Sequence, residues 1–99
     1  MAKYDVYARH GSAGLLLDCQ SDLLSDLNTR FVVPLLLESA APKPASRLNP
    51  VLEFRNERLV MVTQFAAAIS VRELGEHVGS LLICQDEIGN ALDMLITGF

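Results

Sequence analysis

The chain has 99 residues, of which 51% are hydrophobic and 20% are charged, and its formal net charge is −4. These values exclude a disordered chain, and the acidic balance with scattered arginines argues against direct nucleic-acid binding, which needs clustered cationic side chains. No apolar run approaches the ~20 residues that a membrane span requires. No apolar run follows the first residues, as a secretory signal would require. We therefore expect one cytoplasmic domain over residues 1–99.

The first third of the chain has the pattern of a β-hairpin. Residues 3–9 alternate between apolar and polar side chains, which is typical of a half-buried strand. Residues 10–14 contain two glycines and form a turn, and residues 15–19 continue as a second strand. Two strands joined by a short glycine-containing segment predict an antiparallel pair.

A short helical turn and a third strand follow this hairpin. The pair 21–22, Ser-Asp, can cap a helical turn that contains Leu23 and Leu24. Residues 30–37 predict a mostly buried strand. Pro34 lacks a backbone N–H donor, so we expect this part of the strand at an edge or a bulge.

The middle of the chain predicts a loop and further strands. Residues 39–50 are rich in proline and form a loop that is longer than most connections. Residues 51–63 predict a second hairpin with a polar turn at 55–58, residues 66–71 a further strand, and residues 73–76 a turn. Short and regularly spaced strands favour a small antiparallel barrel.

The last segment has helical periodicity. The helix begins at Gln85 or Asp86, and Gly98 lies where a helix-terminating glycine is expected. Met94 lies off the main apolar stripe, so one side of the helix can pack on the sheet and another on a partner. The residues of the main stripe are Ile88, Ala91, Leu92, Leu95 and Ile96.

The chain shows no motif for catalysis, metal binding or a cofactor. His10 and His77 have no companion at ligand spacing. Cys19 and Cys84 lack the CxxC spacing and are interpreted as small core hydrophobes rather than a disulfide. The glycine-containing segment 11–14 is not followed by Lys-Ser or Lys-Thr, so it is not a phosphate loop. We therefore predict no catalytic residue, no metal and no cofactor.

Eight short segments, taken together in chain order, resemble those of one known family. The chain opens with Lys-Tyr-Asp-Val-Tyr, and residues 18–23 resemble the family's Asp-Val-Gln-Ser-Asp-Ile. Residues 30–35 look like its Arg-x-Val-Ile-Pro-Leu strand, and residues 88–93 resemble its Ile-Lys-Asn-Ala-Ile-Asn helix. The remaining matches are 48–51, 61–63, 70–71 and 74–76. On these residues the chain resembles the CcdB family over essentially its whole length.

The resemblance implies both a fold and a function. It implies a partly open SH3-like barrel with a C-terminal helix, assembled as a homodimer. It also implies the toxin of a bacterial toxin–antitoxin (plasmid-addiction) module, which binds the DNA gyrase A subunit and traps the enzyme on cleaved DNA. A CcdA-like antitoxin would neutralise the toxin through a disordered C-terminal tail. The two proteins together would repress their operon, with DNA contacted only through the antitoxin.

The resemblance also assigns candidate binding residues. The family's terminal Phe-Trp-Gly-Ile corresponds to Ile96-Thr97-Gly98-Phe99, so Thr97 replaces the family tryptophan. Leu23 and Leu24 could instead be core residues, and Gly98 could be a plain helix cap. The implied gyrase-binding residues are Leu23, Leu24, Asn90, Asp93, Ile96, Thr97, Gly98 and Phe99, and the apolar helix adds Met94 and Leu95 as dimer-interface candidates.

Two alternatives remain open at this stage. Loss of the tryptophan allows a CcdB-like homologue with an altered or lost target. A small ribonuclease toxin is the other possibility, because SH3-like barrels with that activity exist. A ribonuclease would need a histidine or an acid beside an arginine in a basic groove, and the sequence shows no such combination.

Overall fold

Within residues 2–9, 11 and 14–98, which the computed structural model describes, the chain forms a seven-stranded antiparallel sheet that curls into a half-barrel, followed by one α-helix. The strands are β1 (Asp5–Arg9), β2 (Leu15–Asp18), β3 (Thr29–Leu37), β4 (Val51–Phe54), β5 (Glu57–Met61), β6 (Ala67–Ser70) and β7 (Leu74–Ser80). The 3-10 helices are η1 (Asp22–Leu24), η2 (Thr63–Phe65), η3 (Val71–Glu73) and η4 (Leu82–Cys84), and the α-helix is α1 (Gln85–Thr97). The predicted fold class is confirmed.

The long strand β3 organises the sheet. Along one edge it pairs with β2, and along the other its first half pairs with β6 and its second half with β5. Pro34 lies where β3 changes partner, and its carbonyl accepts a hydrogen bond from the N–H of Val62 at 3.0 Å. An edge or a bulge was expected at Pro34, but β3 is a central strand of the sheet, and the missing N–H of Pro34 falls between the pairing of β3 with β6 and its pairing with β5.

The β4–β5 hairpin turns more tightly than its sequence predicts. Arg55 and Asn56 both have positive φ, at 52° and 66°, as in a two-residue type I′ turn. Glu57 and Arg58, predicted as part of the turn, begin β5 instead. Asparagine tolerates a left-handed backbone, and this turn matches the natural twist of two paired strands.

Strand β7 contradicts the turn predicted at residues 73–76. Residues 74–80 pair with β1, with two register shifts along the ladder. Their composition, Leu-Gly-Glu-His-Val-Gly-Ser, has the glycines and polar residues of a turn, but close approach of other chain segments explains both glycines. A Cβ atom at Gly75 would lie 2.6 Å from the Ala8 carbonyl oxygen, and one at Gly79 would lie 2.7 Å from the Phe54 ring.

We expect Gly75→Ala to destabilise the protein by about 1–3 kcal/mol, because the added methyl group meets the backbone of β1 and the strands must separate. Gly89→Ala is the matched control. A Cβ atom there meets nothing within 4 Å, and the position is helical, so it should stabilise the protein by about 0.5–1 kcal/mol. Urea unfolding of both variants measures the difference. Equal midpoints would contradict this account of β7.

Both faces of the central strands bury apolar side chains. One face packs against α1 and forms a core cluster that includes Val6, Leu17 and Val33. The opposite face, called here the second face, also buries Tyr7 and Leu16, although alternation predicted a polar side for Tyr7.

The C-terminal helix follows its prediction closely. It begins at Gln85 and ends at Thr97, and Gly98 adopts the left-handed conformation with φ 83°. The N–H of Gly98 donates to the carbonyls of Asp93 and Met94, which satisfies two helix-end acceptors.

Both cysteines are free, and both behave as apolar side chains, as predicted. Burial raises the pKa of Cys19 to about 12. Burial also raises the pKa of Cys84, which is half-buried. Neither thiol is therefore activated as a nucleophile. In the described part of the chain, no helix has the length and apolar character needed to cross a membrane.

Candidate functional site

The last turn of α1 leaves apolar side chains uncovered. Ile88 and Ala91, nearer its start, have 0% exposure. Leu95 lies on the same stripe but is exposed, and Ile96 is 73% exposed. The sheet therefore covers only the first half of the predicted stripe. Met94, the other dimer-interface candidate, is half-buried. Uncovered apolar residues at a helix end can bind a partner.

The polar candidates of the helix share one side of it. Asn90, Asp93 and Thr97 follow i, i+3 and i+7 spacing, and all three are exposed. The Thr97 hydroxyl donates to the Asp93 carbonyl at 2.7 Å, so its proton is already engaged within the helix. Asn90 lies in a shallow depression of about 230 Å³ between the helix and the long loop, lined also by Arg47, Pro50 and Glu87.

Gly98 ends the helix, so its structural role as a cap is present in the fold. Its left-handed conformation also turns the chain away from the helix axis. Phe99, the last candidate, lies outside the described residues. The fold therefore leaves a binding role for the terminal residues as a prediction.

The other predicted candidates, Leu23 and Leu24, are surface residues. Leu23 is 94% exposed and Leu24 is about half exposed, which excludes the alternative of core packing. They lie on η1, whose N-terminus is capped by the Ser21 hydroxyl as predicted. The buried Gln20 side chain donates to the Leu24 carbonyl at 3.0 Å and holds the end of this turn.

A second exposed apolar segment, missed in the sequence, lies near the same part of the sheet. Ile83 on η4 is 92% exposed, and its neighbour Leu82 is also exposed. The N–H of Leu81 donates to the Tyr4 carbonyl at 2.8 Å, and the N–H of Lys3 donates to the Asp22 carboxylate at 2.6 Å. Both η1 and η4 therefore adjoin the chain just before β1.

The four exposed apolar residues of these two elements, Leu23, Leu24, Leu82 and Ile83, are called here the apolar corner. Leu82 and Ile83 belong to a run of apolar residues before a helix, which in sequence resembles a buried segment, and only the tertiary position of η4 shows that these two are exposed. Among the described residues, no hydrogen bond or ion pair joins η1 to α1. Of the predicted gyrase-binding residues that the structure describes, Leu23 and Leu24 lie on η1 and the others lie on α1 or at its Gly98 cap.

Another cluster arises from the unexpected strand β7. His77 lies opposite Tyr7 in the β1–β7 pairing, with ring centroids 5.4 Å apart, and its Nε2 is 3.4 Å from an Asp5 carboxylate oxygen. This contact of His77 was not predicted from the sequence, and His10 lies outside the described residues. Burial raises the pKa of Tyr7, and the Asp5 and Asp18 charges add to this, so its phenol stays protonated near neutral pH. Within residues 2–9, 11 and 14–98, no three candidate metal ligands come together.

Comparisons with known proteins agree with the fold. A family model described as CcdB protein matches residues 3–98. A solved structure, described as an endoribonuclease in complex with its cognate antitoxin from mycobacterial species, is similar with a TM-score of 0.75. The alignment covers 95% of this chain and 92% of that chain at 13% sequence identity. At this identity the structural likeness establishes a shared fold.

Proposed function

The chain belongs to the CcdB family, and we propose that it is the toxin of a toxin–antitoxin module that binds the DNA gyrase A subunit and traps gyrase on cleaved DNA. The observation that carries this proposal is the family match over residues 3–98. The uncovered helix end and the apolar corner support it, because exposed apolar patches mark sites of protein association. In this proposal the protein is not an enzyme and acts through the chemistry of its target.

A gyrase cleavage assay tests the proposal directly. Purified protein is added to gyrase and supercoiled plasmid, and linear DNA is measured after denaturation of the enzyme. We expect linear DNA to accumulate with the concentration of the protein and only when gyrase is present. Absence of linear DNA at a large molar excess would favour the alternative of a CcdB-like homologue with an altered or lost target.

We also propose that the protein is a homodimer in which the exposed end of α1 contributes Met94 and Leu95. Light scattering at micromolar concentration should give about 22 kDa, twice the 10.8 kDa of one chain. Leu95→Glu places a charge among these apolar side chains and should give monomers. Gln85→Glu adds the same charge at the exposed start of the helix and should leave the dimer intact. A monomeric wild type would contradict the proposal.

The proposed partner in the cell is a CcdA-like antitoxin with a disordered C-terminal tail that orders on binding. In this proposal the pair acts as co-repressor of its operon in the cytoplasm, and DNA is contacted through the antitoxin. The acidic net charge supports the assignment of DNA contact to the antitoxin, since a chain of charge −4 is a poor ligand for phosphate. Calorimetry with the antitoxin encoded beside the gene should show binding with a negative heat-capacity change.

A ribonuclease is the second candidate, because the Nε2 of His77 lies 3.4 Å from an Asp5 carboxylate oxygen, and a histidine beside an acid is a combination used in acid–base catalysis. Arg30 is fully buried against Asp18 and cannot reach a phosphate group. We expect purified protein to leave RNA intact in the absence of gyrase. Cleavage that His77→Ala abolished, with the fold retained by circular dichroism, would establish the ribonuclease instead.

A further inference from the structure

The loop between β2 and β3 buries none of its own side chains. Residues 21–28, called here the leucine loop, are all exposed. The leucine loop nevertheless carries three large apolar side chains, Leu23, Leu24 and Leu27, of which Leu27 is 50% exposed. Because no side chain of this loop enters the core, apolar burial cannot set its conformation, and hydrogen bonds must do so.

One buried amide, that of Gln20, joins the leucine loop to the sheet. Gln20 directly precedes the loop and is only 8% exposed. Its Nε2 donates to the carbonyl of Leu24 at 3.0 Å and to that of Thr29 at 3.1 Å. Its Oε1 accepts from the Phe31 N–H at 2.9 Å. The amide uses both of its donors and one acceptor position, so three bonds fix its orientation at once.

A buried ion pair fixes the backbone from which this side chain extends. The Gln20 N–H donates to the Asp18 carboxylate at 3.0 Å, and the same carboxylate binds the buried Arg30. Side chains supported in this way hold neighbouring residues in a defined geometry. Gln20 therefore supports the leucine loop from a fixed position in the core.

The other hydrogen bonds to the leucine loop act near its two ends. The Lys3 N–H donates to the Asp22 carboxylate at 2.6 Å, and the Val71 N–H donates to the Asn28 carbonyl at 3.0 Å. In the part of the chain that the structure describes, the bond from outside the loop that reaches one of its leucines comes from Gln20.

A second buried amide, that of Asn49, has the same bonding pattern but holds a different loop. Its Nδ2 donates to the Met61 carbonyl at 3.1 Å and to the Gln64 Oε1 at 2.7 Å, and its Oδ1 accepts from the Ala45 N–H at 3.1 Å. The loop at 39–50 that it holds presents no large apolar side chain at the surface. Asn49 is therefore a matched control for effects that arise from stability alone.

We propose that Gln20 is a positioning residue for target binding, which holds the leucine loop so that Leu23, Leu24 and Leu27 contact the partner. The partner is the gyrase A subunit, and this identification rests on the proposed function. Leu27 is a contact that the family resemblance did not supply. Its N–H donates to the Leu24 carbonyl at 3.1 Å, so it follows Leu24 by one hydrogen-bonded turn. A loop that is already ordered loses less conformational entropy on binding, which strengthens the complex.

Proteolysis tests whether Gln20 holds the loop. Gln20→Met keeps the length of the side chain and removes its three hydrogen bonds, and Asn49→Leu makes the equivalent change in the control amide. Under native conditions we expect chymotrypsin to cleave after Leu23, Leu24 or Leu27 at least several-fold faster in Gln20→Met, and within about twofold of the wild-type rate in Asn49→Leu. If Gln20→Met does not fold, Gln20→Asn, whose shorter side chain cannot span the same three partners, takes its place. Equal cleavage of wild type and the Gln20 variant would overturn the positioning role.

The gyrase cleavage assay tests what the loop does. Gln20→Met should raise the half-saturating concentration of the protein roughly 10-fold or more. The yield of linear DNA at saturation should stay near the wild-type value, because the leucines remain. Leu27→Ser should also raise the half-saturating concentration several-fold, whereas Asn49→Leu should change it by less than about threefold. A rise as large in Asn49→Leu as in Gln20→Met would show that lost stability alone is the cause and would overturn the inference.

The outcomes separate this inference from the proposed target. If wild type and Gln20→Met trap gyrase with the same concentration dependence, the positioning role is wrong and gyrase remains the target. If wild type does not trap gyrase, the target is wrong, and the proteolysis then decides whether Gln20 positions the leucine loop.

Discussion

Replacing Arg30 with methionine should lower the free energy of unfolding by about 3–5 kcal/mol, because it leaves a buried carboxylate without its cation. Asp18 and Arg30 both have 0% exposure. The Arg30 Nε donates to the Asp18 Oδ2 at 3.0 Å, and Nη2 donates to the same oxygen. The other carboxylate oxygen accepts from the Gln20 N–H at 3.0 Å. Methionine fills part of the volume but provides no charge and no donor.

The double variant Asp18→Asn/Arg30→Met separates the contribution of the ion pair from that of the hydrogen bond between Asp18 and the Gln20 N–H. Asparagine keeps an oxygen for the Gln20 N–H and removes the charge, so most of the lost stability should return. In the described structure the Arg30 Nη1 has no hydrogen-bond partner, which lowers the cost of replacing the arginine once the carboxylate is gone.

Urea unfolding measures these variants, with Arg58→Met as the surface control. Arg58 binds Glu38 in an exposed pair, and the hydrogen bond with Arg58 lowers the pKa of Glu38. Water screens such pairs, so we expect little change in stability there. An Arg30→Met variant no less stable than Arg58→Met would show that the buried pair contributes nothing.

The elements with local signals could be predicted from the sequence. The Ser21 cap, the first hairpin and the period of α1 each depend on residues a few positions apart, and the structure confirms these elements, although Tyr7 is buried where alternation predicted a polar side. The buried ion pair could not be predicted in this way. Asp18 and Arg30 are 12 positions apart, and charged residues in strands normally face water. The available signal for this ion pair was one charged residue in each of two neighbouring apolar strands.

The predictions that were wrong or missing concern features that depend on contacts between residues distant in sequence. β7 has the composition of a turn, and its glycines are explained only by Ala8 and Phe54 on other strands. The pairing of His77 with Asp5 was missed with it. For the candidate site, family resemblance supplied Leu23 and Leu24, but the exposure of Ile83 depends on where η4 meets the sheet.

Truncation after Ile96 should abolish gyrase trapping, and Thr97→Trp should strengthen it roughly 10- to 100-fold. Buried aromatic anchors commonly contribute about 2 kcal/mol or more at protein interfaces, and threonine offers a fraction of the area of tryptophan. Both expectations rest on the proposed gyrase target. The same cleavage assay measures wild type and both variants, with linear DNA as the readout.

The helix end should tolerate the tryptophan. Thr97 is exposed, and the bond lost from its hydroxyl leaves the Asp93 carbonyl with the Gly98 N–H at 3.2 Å. The first half of α1 keeps Ile88 and Ala91 in the core in both variants, so the fold should survive.

A tryptophan at the opposite end of the same helix distinguishes a specific contact from a general gain in apolar surface. Gln85 is exposed at the first position of α1, so Gln85→Trp should leave trapping unchanged while Thr97→Trp strengthens it. Equal gains from both variants would mean that added hydrophobicity, and not the position of Thr97, determines binding. If wild type, Thr97→Trp and the truncated chain trap gyrase equally, the C-terminus is not the contact, and the altered-target alternative becomes the better explanation of the missing tryptophan.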